Sequence, residues 1–129
     1  MSETDLTGKT CLVTGSTKGI GRAVAEALAA AGADVVISAR TSADVEHVAK
    51  DLDYSFLGRV LGIAADVSSP EDCSRLVQET ADAFGRLDVL VNNAGVGIIA
   101  SIEELSVEDW ETQIHTNLRG AFCCSKAAV

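Results

Sequence analysis

Two hydrophobic periodicities alternate along the chain. Short apolar runs (Cys11-Leu12-Val13, Val35-Val36-Ile37, Val60-Leu61 and Val89-Leu90-Val91) are separated by longer stretches whose apolar residues recur every three or four positions. The runs read as strands and the stretches as helices. The first strand is predicted over 9–14. A helix follows from near Gly19, with Ile20, Ala23, Val24, Ala27, Leu28 and Ala31 on its packing face and Gly32 at its end. The second strand covers 34–38, and Thr41 or Ser42 caps a helix over about 43–52. The poorly patterned stretch from Tyr54 to Gly58 reads as loop.

A third strand is predicted over 59–65. Ser69 as cap, Pro70 in the first turn and Asp72 at the third position then open a helix. Its inner stripe is Cys73, Leu76, Val77, Thr80 and Phe84, and Gly85 stops it. The fourth strand, 87–91, runs into Asn92-Asn93-Ala94-Gly95. One helical turn near 101–104 precedes a last helix capped by Ser106. Along that helix Val107, Trp110, Ile114, Leu118, Ala121, Ser125 and Ala128 fall near one face, and the pattern still runs at Val129.

The order is therefore β-α-β-α-β-α-β-α, which makes an α/β fold. Connections of this length give parallel strands with right-handed crossovers. The expected product is a three-layer α-β-α sheet with partial strand order 3-2-1-4. Apolar strand centres agree with helices on both faces. In such sheets ligands bind beyond the carboxyl ends of the strands, where strand order reverses. Gly15, Arg40, Asp66 and Asn93 all lie just past such ends, so four separate positions converge on one rim.

Composition narrows the function classes. At 129 residues with 47% apolar content the chain fits one domain or part of one, and it reads as a single unit over 1–129. The net charge of −9 argues against nonspecific binding to nucleic acid or to an anionic membrane. No apolar run is long enough for a membrane span, and the acidic start Met1-Ser2-Glu3-Thr4-Asp5 lacks the basic-then-apolar pattern of a secretory signal. A cytoplasmic or other intracellular location is expected. Cys11, Cys73, Cys123 and Cys124 form no C-x-x-C pair, and neither His47 nor His115 has ligand spacing to them, so no metal site is expected.

The chemistry centres on Gly15-Ser16-Thr17-Lys18-Gly19-Ile20-Gly21, between the first strand and its helix. A glycine turn at a helix start aims free N–H groups and the positive helix end at one spot, which suits a phosphate. Gly15 serves the turn, Gly19 close backbone approach and Gly21 close helix–strand packing. The spacing is G-x-x-x-G-x-G, and Gly-Lys-Ser/Thr of a Walker A loop is absent. After the second strand Ala39 and Arg40 offer no carboxylate for a ribose 2′-hydroxyl. Arg40 instead suits a 2′-phosphate, with Lys18 as a second cation, which favours NADP(H) over NAD(H). Asp66 reads either as an acceptor for the adenine amino group, with Val67 beside the ring, or as a strand-end turn former. Asn92, Asn93 and Gly95 form a polar turn that can tie neighbouring loops and admit a ribose. Asn117 is a poor helix former within a helix and points to a bent helix, a water site or catalysis, with no ranking among them.

Taken together, Thr14-Gly15-Ser16-Thr17-Lys18-Gly19-Ile20-Gly21, Asp66-Val67, Asn92-Asn93-Ala94-Gly95 and Asn117 resemble the short-chain dehydrogenase/reductase family, closest to its NADP(H)-dependent reductases of carbonyl compounds. The resemblance implies a Rossmann-type domain and an oxidoreductase moving a hydride between NADP(H) and a carbonyl or alcohol. It places Gly15, Ile20 and Gly21 along the cofactor, Lys18 and Arg40 on the 2′-phosphate, Asp66 and Val67 at adenine, and Asn93, Ala94 and Gly95 at the adenosine ribose and diphosphate. Asn92 would support the central strand, and Asn117 would hold a water of the proton relay.

The family's catalytic Ser, Tyr and Lys follow the helix that begins in this chain near Ser106, and none of the three is present. Tyr54 is the only tyrosine and stands on the wrong side of the chain. Phe122 to Lys126 echoes Tyr-x-x-x-Lys, but phenylalanine has no proton to donate. An exposed fourth strand and an unpartnered apolar face on the last helix are expected, with aggregation or pairing with another chain as a consequence. The alternative to an oxidoreductase half is an inactive chain that binds nucleotide or associates with a full-length relative. A flavodoxin-like or methyltransferase-like domain shares the sheet logic but not the Asn-Asn-Ala-Gly turn or the basic pair.

Overall fold

The computed structural model of the protein describes residues 4–56 and 58–129. Met1 to Glu3 of the acidic start, and Leu57 in the stretch expected as loop, lie outside the described residues. The elements in chain order are β1 (Thr10–Thr14), α1 (Gly19–Ala30), β2 (Asp34–Ser38), α2 (Ser42–Ser55), β3 (Val60–Gly62), α3 (Pro70–Phe84), β4 (Val89–Val91), α4 (Val107–Ile114), a π-helical turn (His115–Arg119) and α5 (Gly120–Ala128). All strand pairs are parallel and the sheet order is β3-β2-β1-β4, as the sequence predicts.

Alternate residues of the central strands face opposite layers. Cys11, Val13, Val35 and Ile37 pack with Ala25 and Ala29 of α1 and with Val45, Val48 and Leu52 of α2. Leu12 and Val36 pack on the other side with Leu76 and Val77 of α3, and Ala127 and Ala128 of α5 lie against them. Leu12 and Leu76 are wholly buried, and each contributes about 1.5–3 kcal/mol. Ser69 caps α3 by accepting from the Asp72 amide at 3.2 Å, and Ser106 caps α4 by accepting from the Asp109 amide at 3.0 Å.

Element ends differ from the pattern for local reasons. The β3 ladder stops at Gly62, although Ile63 and Ala65 still donate to Ile37 and Ala39. In β4 the Asp88 carboxylate, not a main-chain carbonyl, accepts from the Thr10 amide at 2.8 Å, so regular pairing begins at Val89. α2 continues through Tyr54 and Ser55, whose hydroxyl back-bonds to the Asp51 carbonyl at 2.9 Å. Residues 102–104 form a turn rather than a helix.

Two predicted helix faces are corrected. On α1 the buried positions are Gly21, Ala25 and Ala29; of the expected face Val24 and Leu28 pack against the core, while Ala23 and Ala27 are exposed. Alanines occupy both sides of this helix, so the apolar period carries no direction. On the last helix Val107, Trp110 and Leu118 remain exposed, and Gly120 and Cys124 are buried. Small residues bring α5 close to α3, and the large apolar ones are left outside. Among the described residues β4 pairs only with β1 and forms an open edge of the sheet.

Candidate functional site

β1 ends at Thr14 in a turn through Gly15, whose φ of +61° lies in the left-handed region. A Cβ there would stand 2.8 Å from the Ala94 Cα. Ser16 is fully buried beneath the turn: its Oγ donates to the Val13 carbonyl at 2.7 Å and accepts from the Ser38 amide at 2.9 Å. It fastens the ends of β1 and β2 together and presents no side chain to a ligand. Unlike α3 and α4, α1 has no side-chain cap, so its first amides are left for another acceptor. At Gly19, with φ of +59°, a Cβ would meet nothing within 4 Å, so the turn is open where the helix begins.

The Asn-Asn-Ala-Gly turn after β4 is held against this loop. Thr14 Oγ1 accepts from the amides of Asn93 and Ala94, each at 3.0 Å. Asn93 Nδ2 donates to the Gly15 carbonyl at 3.0 Å. Gly21 lies directly behind, where a Cβ would overlap both the Gly15 carbonyl oxygen and Asn93 Nδ2. Asn92 Nδ2 donates to Ser125 Oγ at 3.0 Å and ties β4 to α5. Asn117, inside the π-helical turn, accepts from the Val96 amide at 2.7 Å through Oδ1 and donates to the Val96 carbonyl at 2.8 Å through Nδ2. The helix takes a π turn at Asn117, and the Asn117 side chain holds the loop after β4.

Past β2 and β3 the rim carries Arg40 and Asp66. Lys18 and Arg40 are exposed and form no ion pair among the described residues. The Asp66 carboxylate accepts from the Ser68 amide at 2.9 Å and from Ser68 Oγ at 2.7 Å. These bonds, chiefly the hydroxyl one, hold its pKa below the ordinary carboxylate range, and the Arg40 charge adds to the shift. Asp66 is therefore a turn former whose carboxylate also edges the cleft. Among the described residues no group of three His, Cys, Asp or Glu side chains could hold a metal ion.

These loops enclose a cleft of about 480 Å³. Of the candidate residues, Gly15, Thr17, Lys18, Gly19, Ile20, Arg40, Asp66, Val67, Asn93, Ala94 and Gly95 line it. Ser16, Gly21 and Asn117 do not; they hold it from behind or from the side. The sequence reading missed Ser38, Val96 and Thr116, which also line the cleft, and the tethering role of Thr14. Position after a strand end signals Ser38, but nothing in the sequence marks Val96 or Thr116 because both depend on helix packing.

Residues 9–129 match the short chain dehydrogenase family. The chain belongs to that family. The chain is 39% identical over 125 residues to a 3-oxoacyl-[acyl-carrier-protein] reductase from Synechocystis sp., covering 96% of this chain and 50% of the relative. It is 39% identical over 126 residues to glucose 1-dehydrogenase 2 from Bacillus subtilis, covering 97% of this chain and 49% of that one. Among solved structures, L-sorbose reductase from Gluconobacter frateurii, complexed with NADPH and L-sorbose, superimposes with a TM-score of 0.94 at 35% identity, over 98% of this chain and 48% of its own. A short-chain dehydrogenase from Burkholderia cenocepacia in complex with NADP gives 0.90 at 38% identity, over 95% and 50%. The chain spans about half the length of the curated relatives it matches.

The site residues of this family member fit a dinucleotide phosphate. The uncapped start of α1 and the open turn at Gly19 leave main-chain donors for a diphosphate. Two cations line the cleft, Lys18 in the turn after β1 and Arg40 after β2, where Ala39 supplies no carboxylate. Ser38 Oγ, in the cleft wall, is buried with no hydrogen-bond partner among the described residues.

Proposed function

We propose that residues 1–129 form the NADP(H)-binding portion of an oxidoreductase that moves a hydride between NADP(H) and a carbonyl or alcohol substrate. The observation that carries this reading is that two exposed cations line the cleft, Lys18 in the turn after β1 and Arg40 after β2, without a carboxylate at Ala39. The bound nucleotide supplies the hydride chemistry. Residues of this chain bind and orient it. Amides of the Gly15–Gly21 turn take the diphosphate, Arg40 and Lys18 the 2′-phosphate, and Asp66 and Val67 the adenine. Asn93, Ala94 and Gly95 border the ribose. Asn117 keeps the Val96 loop at the cleft mouth.

A second reading is favoured for these 129 residues by themselves: they bind nucleotide without turning it over, or associate with a full-length relative. Among the described residues no tyrosine lines the cleft, and Tyr54 is 95% exposed on α2. The open β4 edge and the exposed Trp110, Leu118 and Phe122 offer surface for association.

Fluorescence titration with NADPH and NADH tests the reading. The chain is expected to prefer NADPH, and Arg40→Ala to weaken NADPH by about 10- to 100-fold while leaving NADH unchanged, the worth of charge-assisted bonds to one phosphate. Equal affinities in the unsubstituted chain would overturn the assignment of Lys18 and Arg40. Binding with no carbonyl reduction would support the second reading.

A further inference from the structure

The π-helical turn reaches both walls of the cleft. Asn117 grips the Val96 main chain on one side with two bonds, at 2.7 and 2.8 Å. On the other side Arg119 Nη2 donates to the Ser68 carbonyl, and Arg119 Nε is buried without a partner among the described residues. Ser68 is the residue that holds the Asp66 carboxylate through both its amide and its hydroxyl. Gly120 closes the joint: a Cβ there would stand 2.8 Å from the Val67 carbonyl oxygen and 3.1 Å from Val67 Cγ2. Cys73 Sγ reaches the same carbonyl at 3.3 Å from α3.

Asn117 and Arg119 are two residues apart, which sets them on opposite sides of a helical segment. Asn117 faces the loop after β4, and Arg119 and Gly120 face the loop after β3. The two loops are thus braced from a single short segment.

We propose that Arg119 is a positioning residue for the nucleotide: from the π-helical turn it fixes Ser68, and through Ser68 the Asp66–Val67 wall, at a set distance from the Val96 wall that Asn117 fixes. The proposal rests on the NADP(H) reading of the cleft. Arg119 touches no ligand and acts only through the main chain of the loop after β3.

The test measures affinity for 2′,5′-ADP, the adenosine half of the nucleotide, and for NADPH. Arg119→Met removes the donors and keeps most of the stem. It is expected to weaken 2′,5′-ADP by about tenfold, as loss of a hydrogen bond from a charged group does. Amide exchange is expected to rise over residues 66–69 and to stay unchanged over 34–38. Arg119→Lys keeps one donor and is expected to recover most of the affinity, a rescue that a merely space-filling role would not give. If the unsubstituted chain binds neither probe, the nucleotide reading falls. If it binds both and Arg119→Met binds them equally well, the positioning role is overturned and the nucleotide reading stands. Should Arg119→Met fail to fold, Ser68→Ala decides, because it cuts the hydroxyl link to Asp66 without touching Arg119. A severalfold loss of 2′,5′-ADP affinity is then expected, and unchanged affinity overturns the proposal.

Discussion

Asn93 Nδ2 donates to the carbonyl of Gly15 at 3.0 Å, joining two turns that lie 78 positions apart. The bond is possible because Gly21, directly behind it, has no side chain: a Cβ would occupy the space of both partners. One absent methyl group therefore lets the loops after β1 and β4 meet.

Gly21→Ala should accordingly cost about 1–3 kcal/mol, the range for forcing atoms into a packed site. Urea unfolding measures the loss. The same variant should bind NADPH more weakly, because the turn must shift to admit the methyl. Unchanged stability would show that Gly21 is not tightly enclosed.

Thr14 offers a second handle on the same junction. Its hydroxyl accepts from the amides of Asn93 and Ala94, both at 3.0 Å. Thr14→Val keeps the shape and leaves two donors unsatisfied, an expected loss of about 1–3 kcal/mol. Thr14→Ser keeps the acceptor and should lose much less. Comparison of the two midpoints in urea separates the hydrogen bonds from the packing; a Thr14→Val midpoint equal to that of the unsubstituted chain would remove the two hydrogen bonds from the account.

Acid should weaken the fold. Asp66, bonded to Ser68, and Asp34, whose carboxylate takes the Arg59 guanidinium at 2.8 Å, both have pKa values lowered below the ordinary carboxylate value. A carboxylate with a lower pKa in the folded than in the unfolded chain adds stability above its unfolded pKa, near 4 by the usual ~3.9 for Asp. That stability is lost as pH falls from there through the folded value. Urea midpoints should be flat from neutral pH down to that point and then decline. Asp66→Asn should reduce the decline, and an identical pH profile in that variant would remove Asp66 from the account.

The four cysteines should differ in reactivity. Cys11, Cys73 and Cys124 are buried, and Cys123 is half-buried. Burial, with Cys124 alongside, pushes the Cys73 thiol up to about 12, so little reactive thiolate forms. A disulfide reagent added to the folded chain should label Cys123 first. The other three should react only at the rate of unfolding. Prompt labelling of Cys73 would mean that α3 and α5 open readily.

Much of the site was legible because it is built from strand ends. A parallel β-α sequence fixes which ends share a rim, so Gly15, Arg40, Asp66 and Asn93 could be grouped before any distance was known. For Asp66 both readings were legible, and the structure adds its partner: the carboxylate accepts from the amide and the hydroxyl of Ser68, two residues on.

The alternation of short apolar runs and amphipathic stretches determined the fold class, the sheet order and the position of the glycine turn between β1 and α1, because local periodicity and chain connectivity leave few ways to stack these elements. Packing decided the rest. Alanines on every side of α1 gave no orienting signal, and contact with Gly15 and Asn93 chose the Gly21 face. The large apolar residues of the last helix pointed to the wrong side, because close approach to α3 selected Gly120 and Cys124 instead. The contacts that Asn117 and Arg119 make from the π-helical turn to opposite walls join segments 21 and 51 positions apart, which no local spacing along the chain announces.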